Sequence, residues 1–322
     1  MQYRLKSNVK INLHLDVLYK YCEIKNNKIS YFHKIQSIFF PITCSDVIYI
    51  NKKNGIAKKI DQITIRTINS IPLDNRNLFE EVSERGCLKN NLVYKLLEEV
   101  LKNIDLPQLE ILIIKRIPPG SGVGGGSSNA GTILRFLIEQ NFISFDDANS
   151  IANDLGSDIL FFLYNKPSIV LGRGEIIHTI NKEDLEIFKN IYGIINFNNK
   201  GISTKIAYES LKKPLQEDYI KIYDTHKETG KQFFHKFFPA NDIKSFLEKC
   251  KNDFEIYAFG FKELLEIKKL LEITNPLKVM LTGSGSGIYS LYENKKKMLE
   301  ALSYLKKFEN SQRVFRPFKF II

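Results

Sequence analysis

Residues 115–131, KRIPPGSGVGGGSSNAG, concentrate groups that could bind phosphate, including six of the 18 glycines of the chain. Glycines let a backbone approach an anion closely and turn its N–H groups toward it. A helix that begins at the two serines adds unpaired N–H donors and the positive end of its dipole. The serine hydroxyls are further ligands for phosphate or for a magnesium ion. The stretch therefore predicts a nucleotide-binding loop, and a purely structural turn is the weaker hypothesis.

Known phosphate loops differ in their details. A Walker A loop ends in Gly-Lys-Ser or Gly-Lys-Thr, whereas Gly126 is followed by Ser127, so that motif is excluded. Gly120, Gly122 and Gly125 satisfy the dinucleotide pattern GxGxxG. That pattern normally follows the first strand, with an acidic residue about 20 positions later at the end of the next strand. Here the loop lies a third of the way along the chain, and a helical pattern follows it. The HRD and DFG signatures of protein kinases do not occur in the sequence.

The elements that must position this loop follow from hydrophobic spacing. LEILIIKRI is predicted to be a buried strand that runs into the glycines, and residues 91–101 have the apolar spacing of a helix. After the glycines, a helix is predicted to begin near Ser127 or Ser128. Ser144 and Asp147 predict a capping box for a second helix that ends at Gly156, and SDILFFLY predicts a third helical start.

The rest of the chain alternates between strands and helices. INLHLDVLY, YFHKIQSIFFPI and SDVIYI predict strands near the N-terminus. Beyond about residue 172 strands and helices alternate again, which predicts a second α/β layer structure. The sequence therefore predicts an α/β (α+β) protein with two domains, residues 1–178 and 179–322.

The composition is that of a globular protein with a basic surface. Of 322 residues, 43% are hydrophobic and 26% are charged, which fits a folded chain rather than a disordered one. The net charge of +11 favours anionic partners such as nucleic acid, an anionic membrane or phosphorylated small molecules. Because the lysines are scattered, we interpret the charge as a diffuse surface and expect neither a nucleic-acid nor a membrane partner.

Cysteine usage and hydropathy indicate the compartment. The cysteines lie far apart and form no CxxC pair; they are Cys22, Cys44, Cys87 and Cys250. The sequence therefore predicts no zinc site, no other side-chain metal site and no disulfide framework. The N-terminus lacks the apolar core of a secretory signal, and no run approaches the ~20 apolar residues of a membrane span. These features predict a cytoplasmic protein.

Three motifs resemble those of one superfamily of small-molecule kinases. The glycine stretch, Pro-x-x-x-Gly-x-Gly-Gly-Gly-Ser-Ser, resembles the second motif of the GHMP kinases, named for galactokinase, homoserine kinase, mevalonate kinase and phosphomevalonate kinase. KSNVKINLHL resembles their first motif and KVMLTGSGSGIYSLY their third. The resemblance implies a two-domain GHMP kinase fold, with an N-terminal domain like ribosomal protein S5 domain 2 and a ferredoxin-like C-terminal domain. It also implies that ATP and Mg²⁺ are used.

Within this superfamily, the sequence is most similar to the family of 4-diphosphocytidyl-2-C-methyl-D-erythritol kinases. GGGSSNAG, NNLVYKLLEEV, NDLGSDILFFL, GRGE and NDFE have counterparts there. The resemblance implies ATP-dependent phosphorylation of the 2-hydroxyl group of a cytidine diphosphate derivative, in the non-mevalonate route to isoprenoids, by a monomer or weak homodimer. The alternatives are a mevalonate- or homoserine-type kinase, a basic nucleic-acid-binding protein, and an inactive nucleotide-binding paralogue.

The resemblance also implies roles for individual residues. Asp158 would accept or orient the hydroxyl proton, and Lys10 would pair with Asp158 and the reacting oxygen. The implied substrate-binding residues are Asn12, Phe32, His33, Thr204 and Tyr208. In the family an aromatic–histidine pair, here Phe32 and His33, holds the cytidine, and a second aromatic ring, here Tyr208 in the segment that begins near Thr204, sandwiches the base. The implied ATP-binding residues are Asn91, Leu92, Pro118, Pro119, Gly120, Ser121, Gly122, Val123, Gly124, Gly125, Gly126, Ser127 and Ser128.

The sequence departs from the family pattern at several points. Residues 20–30 form a longer segment that lacks the usual glycine and arginines. Phe32 stands in place of a tyrosine, which keeps the aromatic ring but loses a hydroxyl group. Asn8 and Val9 precede Lys10 where the family has Pro-Ala, and LGSDIL lacks the family's proline.

Overall fold

The computed structural model describes residues 2–25, 28–70, 81–82, 91–198, 201–215, 225–310 and 312–322; Cys87 lies outside these ranges. The chain forms two compact units that are interleaved in sequence. The first contains Met1–Val9, Cys44–Pro119 and Gly124–Asn165; the second contains Lys10–Thr43, Gly120–Val123 and Lys166–Ile322. The predicted domain boundary after residue 178 stays a prediction.

Two long strands, β1 (Gln2–Lys25) and β2 (Lys28–Ala57), contribute to both units. In the first unit, the C-terminal half of β2 pairs antiparallel with β5 (Leu106–Lys115), and β5 pairs in parallel with β3 (Thr64–Asn69). β4 (Glu81–Val82) pairs with β3. A short 3₁₀ turn, Ile60–Gln62, precedes β3.

The helices of the first unit are α1 (Leu92–Val100), α2 (Gly125–Glu139), α3 (Phe145–Leu155) and α4 (Ser157–Tyr164). The apolar spacing in α1 buries one face of the helix, as predicted for residues 91–101. Ser144 caps α3 by accepting a hydrogen bond from Asp147 N–H at 3.1 Å, and Gly156 ends that helix. The cap and the stop predicted for α3 are therefore confirmed.

Two sequence-based boundaries were wrong. Helix α2 begins at Gly125 rather than near Ser127 or Ser128, because the left-handed Gly124 (φ 71°) starts the helical turn before the serines. The two strands predicted around Pro41 are one continuous strand, β2. Proline has no N–H group to donate to a neighbouring strand. Instead the Pro41 carbonyl accepts a hydrogen bond from Ile321 N–H at 2.9 Å.

In the second unit, the N-terminal half of β2 pairs with β6 (Ser168–Gly172), which pairs with β7 (Ile176–Thr179). A four-stranded antiparallel sheet follows, in the order β11–β8–β10–β9. Its strands are β8 (Tyr192–Asn198), β9 (Lys278–Leu281), β10 (Ile288–Tyr292) and β11 (Arg313–Lys319).

The helices of the second unit lie between these strands. They are α5 (Thr204–Ser210), α6 (Thr225–Phe237), α7 (Ile243–Glu248), α8 (Glu255–Ala258), α9 (Lys262–Ile273) and α10 (Lys295–Leu305), with 3₁₀ turns at Glu183–Phe188 and Lys306–Phe308. From β8 to β11 the order is strand, helices, two strands, helix, strand, which agrees with the expected ferredoxin-like arrangement. Across the described ranges, every helix is too short or too polar to span a membrane.

Candidate active site

Strand β1 presents three buried polar side chains on one face. Lys10, Asn12 and His14 are 3%, 1% and 0% exposed, and they alternate with the apolar Ile11 and Leu13. Successive side chains of a strand point to opposite faces, so the three polar groups share one side of β1. Because burying a polar group without a hydrogen bond is costly, their partners show how this part of the site is built.

The Lys10 ammonium group contacts both a side chain and the glycine loop. Nζ donates hydrogen bonds to Asn12 Oδ1 at 2.6 Å and to Gly122 O at 3.0 Å. It also lies 4.5 Å from the centre of the Phe39 ring, within the range of a cation–π attraction. The Lys10 N–H donates to Val123 O at 3.2 Å. The predicted catalytic lysine is therefore fixed to the loop through its backbone and its side chain.

Asn12 joins Lys10 to the third motif. Its Oδ1 accepts hydrogen bonds from Gly283 N–H at 2.8 Å and from Thr282 Oγ1 at 3.2 Å, in addition to the one from Lys10. Its Nδ2 donates to Ser37 Oγ at 3.0 Å. The first, second and third motifs of the sequence therefore meet in one hydrogen-bonded network within the second unit. The contact of Asn12 with substrate stays a prediction.

The backbone of the glycine loop alternates in conformation. Gly120, Gly122 and Gly124 have φ values of 70°, 72° and 71°, while Ser121 and Val123 between them do not have positive φ. Alternation of left- and right-handed residues turns successive N–H groups toward a common anion. At Gly122 the need for glycine is also steric, because a Cβ there would lie 2.1 Å from Thr282 O.

Every carbonyl group from residue 120 to residue 124 accepts a hydrogen bond. The first two accept from Ser286 N–H and Gly287 N–H of the third motif, each at 3.1 Å, and the next two from Lys10. The last accepts from Ser128 N–H at 2.8 Å. Because the N–H of a trans peptide points away from its carbonyl, carbonyls bound within the protein favour an anion on the opposite, N–H side of the loop.

The start of α2 adds donors in the first unit. The bond from Ser128 N–H to Gly124 O closes the first helical turn, so the N–H groups of Gly125, Gly126 and Ser127 have no acceptor inside the helix. They stand at the positive end of the helix dipole, where an anion is stabilised. The chemistry of this helix end therefore suits a phosphate group.

The two serines have different environments. Ser128 is 1% exposed, and its Oγ donates to Asn8 O at 2.6 Å and lies 2.7 Å from Ser7 Oγ. These bonds tie α2 to β1, and a contact between the Ser128 hydroxyl and ATP would require one of them to break. Ser127 is partly exposed. Of the two serines predicted to contact ATP, Ser127 fits that role better.

Asp158 lies in the first turn of α4, as predicted. Its Oδ2 is 3.3 Å from the position that a Cβ on Gly124 would occupy. Leu92 Cδ1 is 3.6 Å from the corresponding position at Gly126, and Asn91 caps α1. The first unit therefore brings the predicted catalytic carboxylate and one predicted ATP contact, Leu92, to the start of α2.

Two of the predicted cytidine-binding side chains meet in the second unit. The His33 and Tyr208 rings are stacked, with centroids 4.7 Å apart and planes inclined by 28°. Thr204 lies one helical turn before Tyr208 on α5, and its Oγ1 is 3.1 Å from Ser284 Oγ in the third motif. Burial, with a smaller effect of the Lys20 charge, lowers the pKa of His33. The imidazole is therefore neutral at pH 7, with one donor and one acceptor nitrogen.

Phe32, the aromatic residue before His33, has other neighbours. Its ring centroid is 6.1 Å from that of Tyr21, and the Arg173 guanidinium lies 5.0 Å from its ring centre. The structure therefore pairs Tyr208 with the histidine of the FHKIQS segment, and the predicted stacking of Phe32 on cytidine stays a prediction.

Comparison with known proteins decides the family. The family described as the GHMP kinases N terminal domain matches residues 91–166. A 4-diphosphocytidyl-2-C-methyl-D-erythritol kinase of Leptospira interrogans is 33% identical over 319 residues, covering 98% of this chain and 99% of the relative. The chain belongs to the 4-diphosphocytidyl-2-C-methyl-D-erythritol kinase family. A kinase of the same name from Pelagibacter ubique is 32% identical, with 96% of each chain covered.

The fold of this family member agrees with a solved structure. A crystal structure of a 4-(cytidine 5'-diphospho)-2C-methyl-D-erythritol kinase superposes with a TM-score of 0.66 and 19% identity, covering 98% of this chain and 99% of the other. The likeness shows the GHMP kinase fold that the three motifs predicted.

In this member of the 4-diphosphocytidyl-2-C-methyl-D-erythritol kinase family, sequence reasoning missed Asp46. Its carboxylate is fully buried and accepts hydrogen bonds from Arg116 N–H at 2.7 Å and Ile117 N–H at 3.0 Å. It also forms an ion pair with Lys115. These bonds fix the end of β5 immediately before Pro118, where the glycine loop begins. No short-range pattern marks Asp46, because its partners lie about 70 positions later.

Proposed function

We propose that this kinase transfers the γ-phosphoryl group of ATP to the 2-hydroxyl group of 4-diphosphocytidyl-2-C-methyl-D-erythritol, a step of the non-mevalonate route to isoprenoid precursors. The observation that carries the proposal is a hydrogen-bonded network: Lys10 Nζ and the Thr282–Gly283 turn donate to Asn12 Oδ1, and Lys10 Nζ also donates to the Gly122 carbonyl. The proposal includes a small-molecule acceptor, a cytoplasmic enzyme, and a monomer or weak homodimer.

The glycine loop and the start of α2 bind the triphosphate of ATP in this proposal. Backbone N–H groups replace the water that solvates phosphate, and the positive end of α2 favours the negative charge. Mg²⁺ accompanies ATP and neutralises charge on the phosphate oxygens. Ser127, which is partly exposed at this helix end, has the hydroxyl oxygen that would hold the ion. A hydroxyl beside phosphate oxygens is a hard-oxygen donor set, which suits Mg²⁺.

The catalytic roles are those that the family resemblance implies. Asp158 accepts the proton of the attacking hydroxyl group, and the Lys10 ammonium stabilises the negative charge on the reacting oxygen. Phosphoryl transfer depends mainly on alignment and charge neutralisation. The fixed position of Lys10 Nζ, with hydrogen bonds of 2.6 and 3.0 Å, supports its role.

His33, Tyr208 and Thr204 recognise the cytidine part of the acceptor. A neutral imidazole has one donor and one acceptor, which match the polar edge of a cytosine. An aromatic ring supplies a stacking surface. The pairing of His33 with Tyr208 supports this assignment.

The test is ADP release from Mg-ATP with three acceptors in parallel: 4-diphosphocytidyl-2-C-methyl-D-erythritol, mevalonate and homoserine. We expect turnover only with the cytidylyl compound. Asp158→Asn should lower kcat by roughly 10²–10⁴-fold. Asp154→Asn, at an exposed position of α3, is the matched control and should retain kcat.

Other outcomes would contradict the proposal in different ways. Turnover with mevalonate or homoserine alone would refute the acceptor but retain the kinase chemistry. ATP binding without turnover on any acceptor would point to a nucleotide-binding paralogue. Equal losses in Asp158→Asn and Asp154→Asn would refute the role of Asp158.

A further inference from the structure

Asn252 is a buried side chain whose hydrogen bonds end on the third motif. It is 3% exposed and lies between α7 and α8. Its Nδ2 donates to Leu281 O and to Gly283 O, each at 2.9 Å. Its Oδ1 accepts from Phe254 N–H at 3.0 Å. Both hydrogens of the amide are therefore used to hold the two carbonyls at the start of the glycine turn.

The segment that carries Asn252 is itself fixed to β1. Leu15 N–H donates to Lys251 O at 2.8 Å, and Asp253 N–H donates to Leu15 O at 3.0 Å. Asn252 forms a parallel bridge with Leu15. The amide is thus anchored to the same strand that presents Lys10 and Asn12, only a few residues further along the chain.

Gly283 connects the Asn252 amide to Asn12. Its carbonyl accepts from Asn252, and its N–H donates to Asn12 Oδ1 at 2.8 Å. Its φ is +56°, and a Cβ at this position would lie 2.6 Å from Gly122 O. No larger residue fits here without a shift of the backbone, so the position of the Gly283 N–H depends on how its neighbours hold the turn.

The donors around Asn12 determine which way its amide points. Ser37 Oγ donates its proton to His14 O, so it must accept from Asn12 Nδ2. Gly283 N–H and Thr282 Oγ1 lie on the other side and require the oxygen there. With the amide in this orientation, Oδ1 accepts from Lys10 Nζ. A reversed amide would place an NH₂ group against the ammonium ion.

We propose that Asn252 is a positioning residue of the kinase reaction: it holds the Gly283 turn, which fixes the Asn12 amide and thereby the Lys10 ammonium group. The inference rests on the proposed function through the catalytic role of Lys10. Asn252 itself touches neither ATP nor the acceptor in this account. Its loss should therefore reduce the chemical step more than the binding of Mg-ATP.

Asn252→Asp separates this role from a merely structural one. The aspartate keeps an oxygen that accepts from Phe254 N–H, so the local turn before α8 is retained. It replaces the NH₂ group with an oxygen that faces the carbonyls of Leu281 and Gly283 and repels them. We expect kcat to fall about 10–100-fold, because a small misplacement of a reacting group is costly. We expect the KM for Mg-ATP to stay within about threefold.

The matched control is Asn196→Ala. Asn196 is a fully buried asparagine of β8, and its Nδ2 also donates to a backbone carbonyl, that of Val314. It takes no part in the bonds to Asn12, so this variant should lose stability but keep kcat. A double-mutant cycle adds a second readout. If Asn252 acts through Asn12, the loss of kcat in Asn12→Ala combined with Asn252→Asp should be no greater than in Asn12→Ala alone.

Three results would overturn the inference: an unchanged kcat in Asn252→Asp, an equal loss in Asn196→Ala, or additive losses in the double variant. If the wild-type enzyme phosphorylates a different alcohol, the proposed acceptor fails and the same kcat ratios are measured with that alcohol. If it phosphorylates none, amide hydrogen exchange of residues 281–284 tests the clamp alone. Exchange should be faster in Asn252→Asp and unchanged in Asn196→Ala, and an unchanged rate in both would overturn the inference.

Discussion

The imidazole ring of His33 is stacked on the phenol ring of Tyr208, with centroids 4.7 Å apart. Two rings that sandwich a planar base must stand about 7 Å apart, twice the contact distance of carbon atoms. A cytosine between these rings would therefore require the pair to open by roughly 2–3 Å. Tyr208 lies on the short helix α5, whose first residue, Thr204, contacts Ser284 in the third motif. The hydrogen bond between Thr204 and Ser284 therefore links the helix that carries Tyr208 to the third motif.

Replacing Tyr208 tests the stacking surface. We expect Tyr208→Leu to raise the KM for the cytidylyl acceptor by roughly 10-fold or more, because a base–aromatic contact is worth about 1–3 kcal/mol. Tyr208→Phe keeps the ring and should stay near the wild type. Steady-state kinetics with the acceptor varied at saturating Mg-ATP give the measurement. Tyr304→Leu, which removes a ring of α10 that contacts Phe308 in the next 3₁₀ turn, is the control. A Tyr208→Leu enzyme with unchanged KM would show that the pair does not bind the base.

Variants of the adjacent residues Ser127 and Ser128 test whether one hydroxyl group binds ATP and the other stabilises the fold. Ser127→Ala should raise the KM for Mg-ATP severalfold with little change in the free energy of unfolding. Ser128→Ala removes the hydroxyl that binds Asn8 O and Ser7, and it should lower the free energy of unfolding by about 1–3 kcal/mol. Urea denaturation and ATP titration of both variants give the comparison. The interpretation fails if Ser127→Ala lowers the free energy of unfolding and Ser128→Ala instead raises the KM for Mg-ATP.

Gly122 tests the close approach between the glycine loop and the third motif. Gly122→Ala places a Cβ 2.1 Å from Thr282 O at a residue with φ of +72°, so the backbone must move. We expect a loss of several kcal/mol of stability or no folded protein. Gly126 lies in a helix, and a Cβ there would have only Leu92 Cδ1 near it, at an ordinary contact distance of 3.6 Å. Gly126→Ala should therefore have a Tm equal to or above that of the wild type. The measurement is the Tm of both variants in thermal unfolding. If Gly122→Ala is as stable as Gly126→Ala, Gly122 does not approach Thr282 O closely.

The glycine loop was predictable because its signal is local. Consecutive glycines, a strand before them and an apolar-periodic helix after them are all visible in one stretch of sequence. The start of α2 was misplaced by two or three residues, because serines are the usual caps and the left-handed Gly124 was not recognised as one.

Two buried polar residues that hold the glycine loop and the third motif in place were not predictable in the same way. Asp46 and Asn252 are single polar residues whose hydrogen bonds reach about 70 and about 30 positions along the chain. Only the fold brings Asp46 to the residues before the glycine loop and Asn252 to the turn of the third motif. The NDFE segment has a counterpart in the family, but the resemblance did not indicate what Asn252 does in the structure. The pairing of Tyr208 with His33 rather than with Phe32 likewise depends on side-chain directions that the sequence pattern leaves open.

His14 should make the stability of the protein fall in acid. Burial lowers its pKa from 6.5 to about 3, with further lowering by Lys236 and Lys251 and an opposing effect of Asp253. The unfolded chain therefore takes up a proton near pH 6.5, whereas the folded chain takes it up only near pH 3. Stability from this group is complete above pH 6.5 and is lost as the pH falls from there toward 3.

As the pH falls from 7 to 5, this histidine should lower the free energy of unfolding by about 2 kcal/mol. His14→Phe fits the aromatic contacts with Phe233 and Phe237 but cannot be protonated, so it should lose less stability over this interval. It also removes the acceptor for Lys251 N–H, which lowers stability equally at both pH values and leaves the difference unaffected. Urea denaturation at the two pH values gives this difference, and His178→Gln, at an exposed site, should retain the wild-type value. An identical pH dependence in His14→Phe and wild type would show that His14 is protonated in the folded protein as easily as in the unfolded chain.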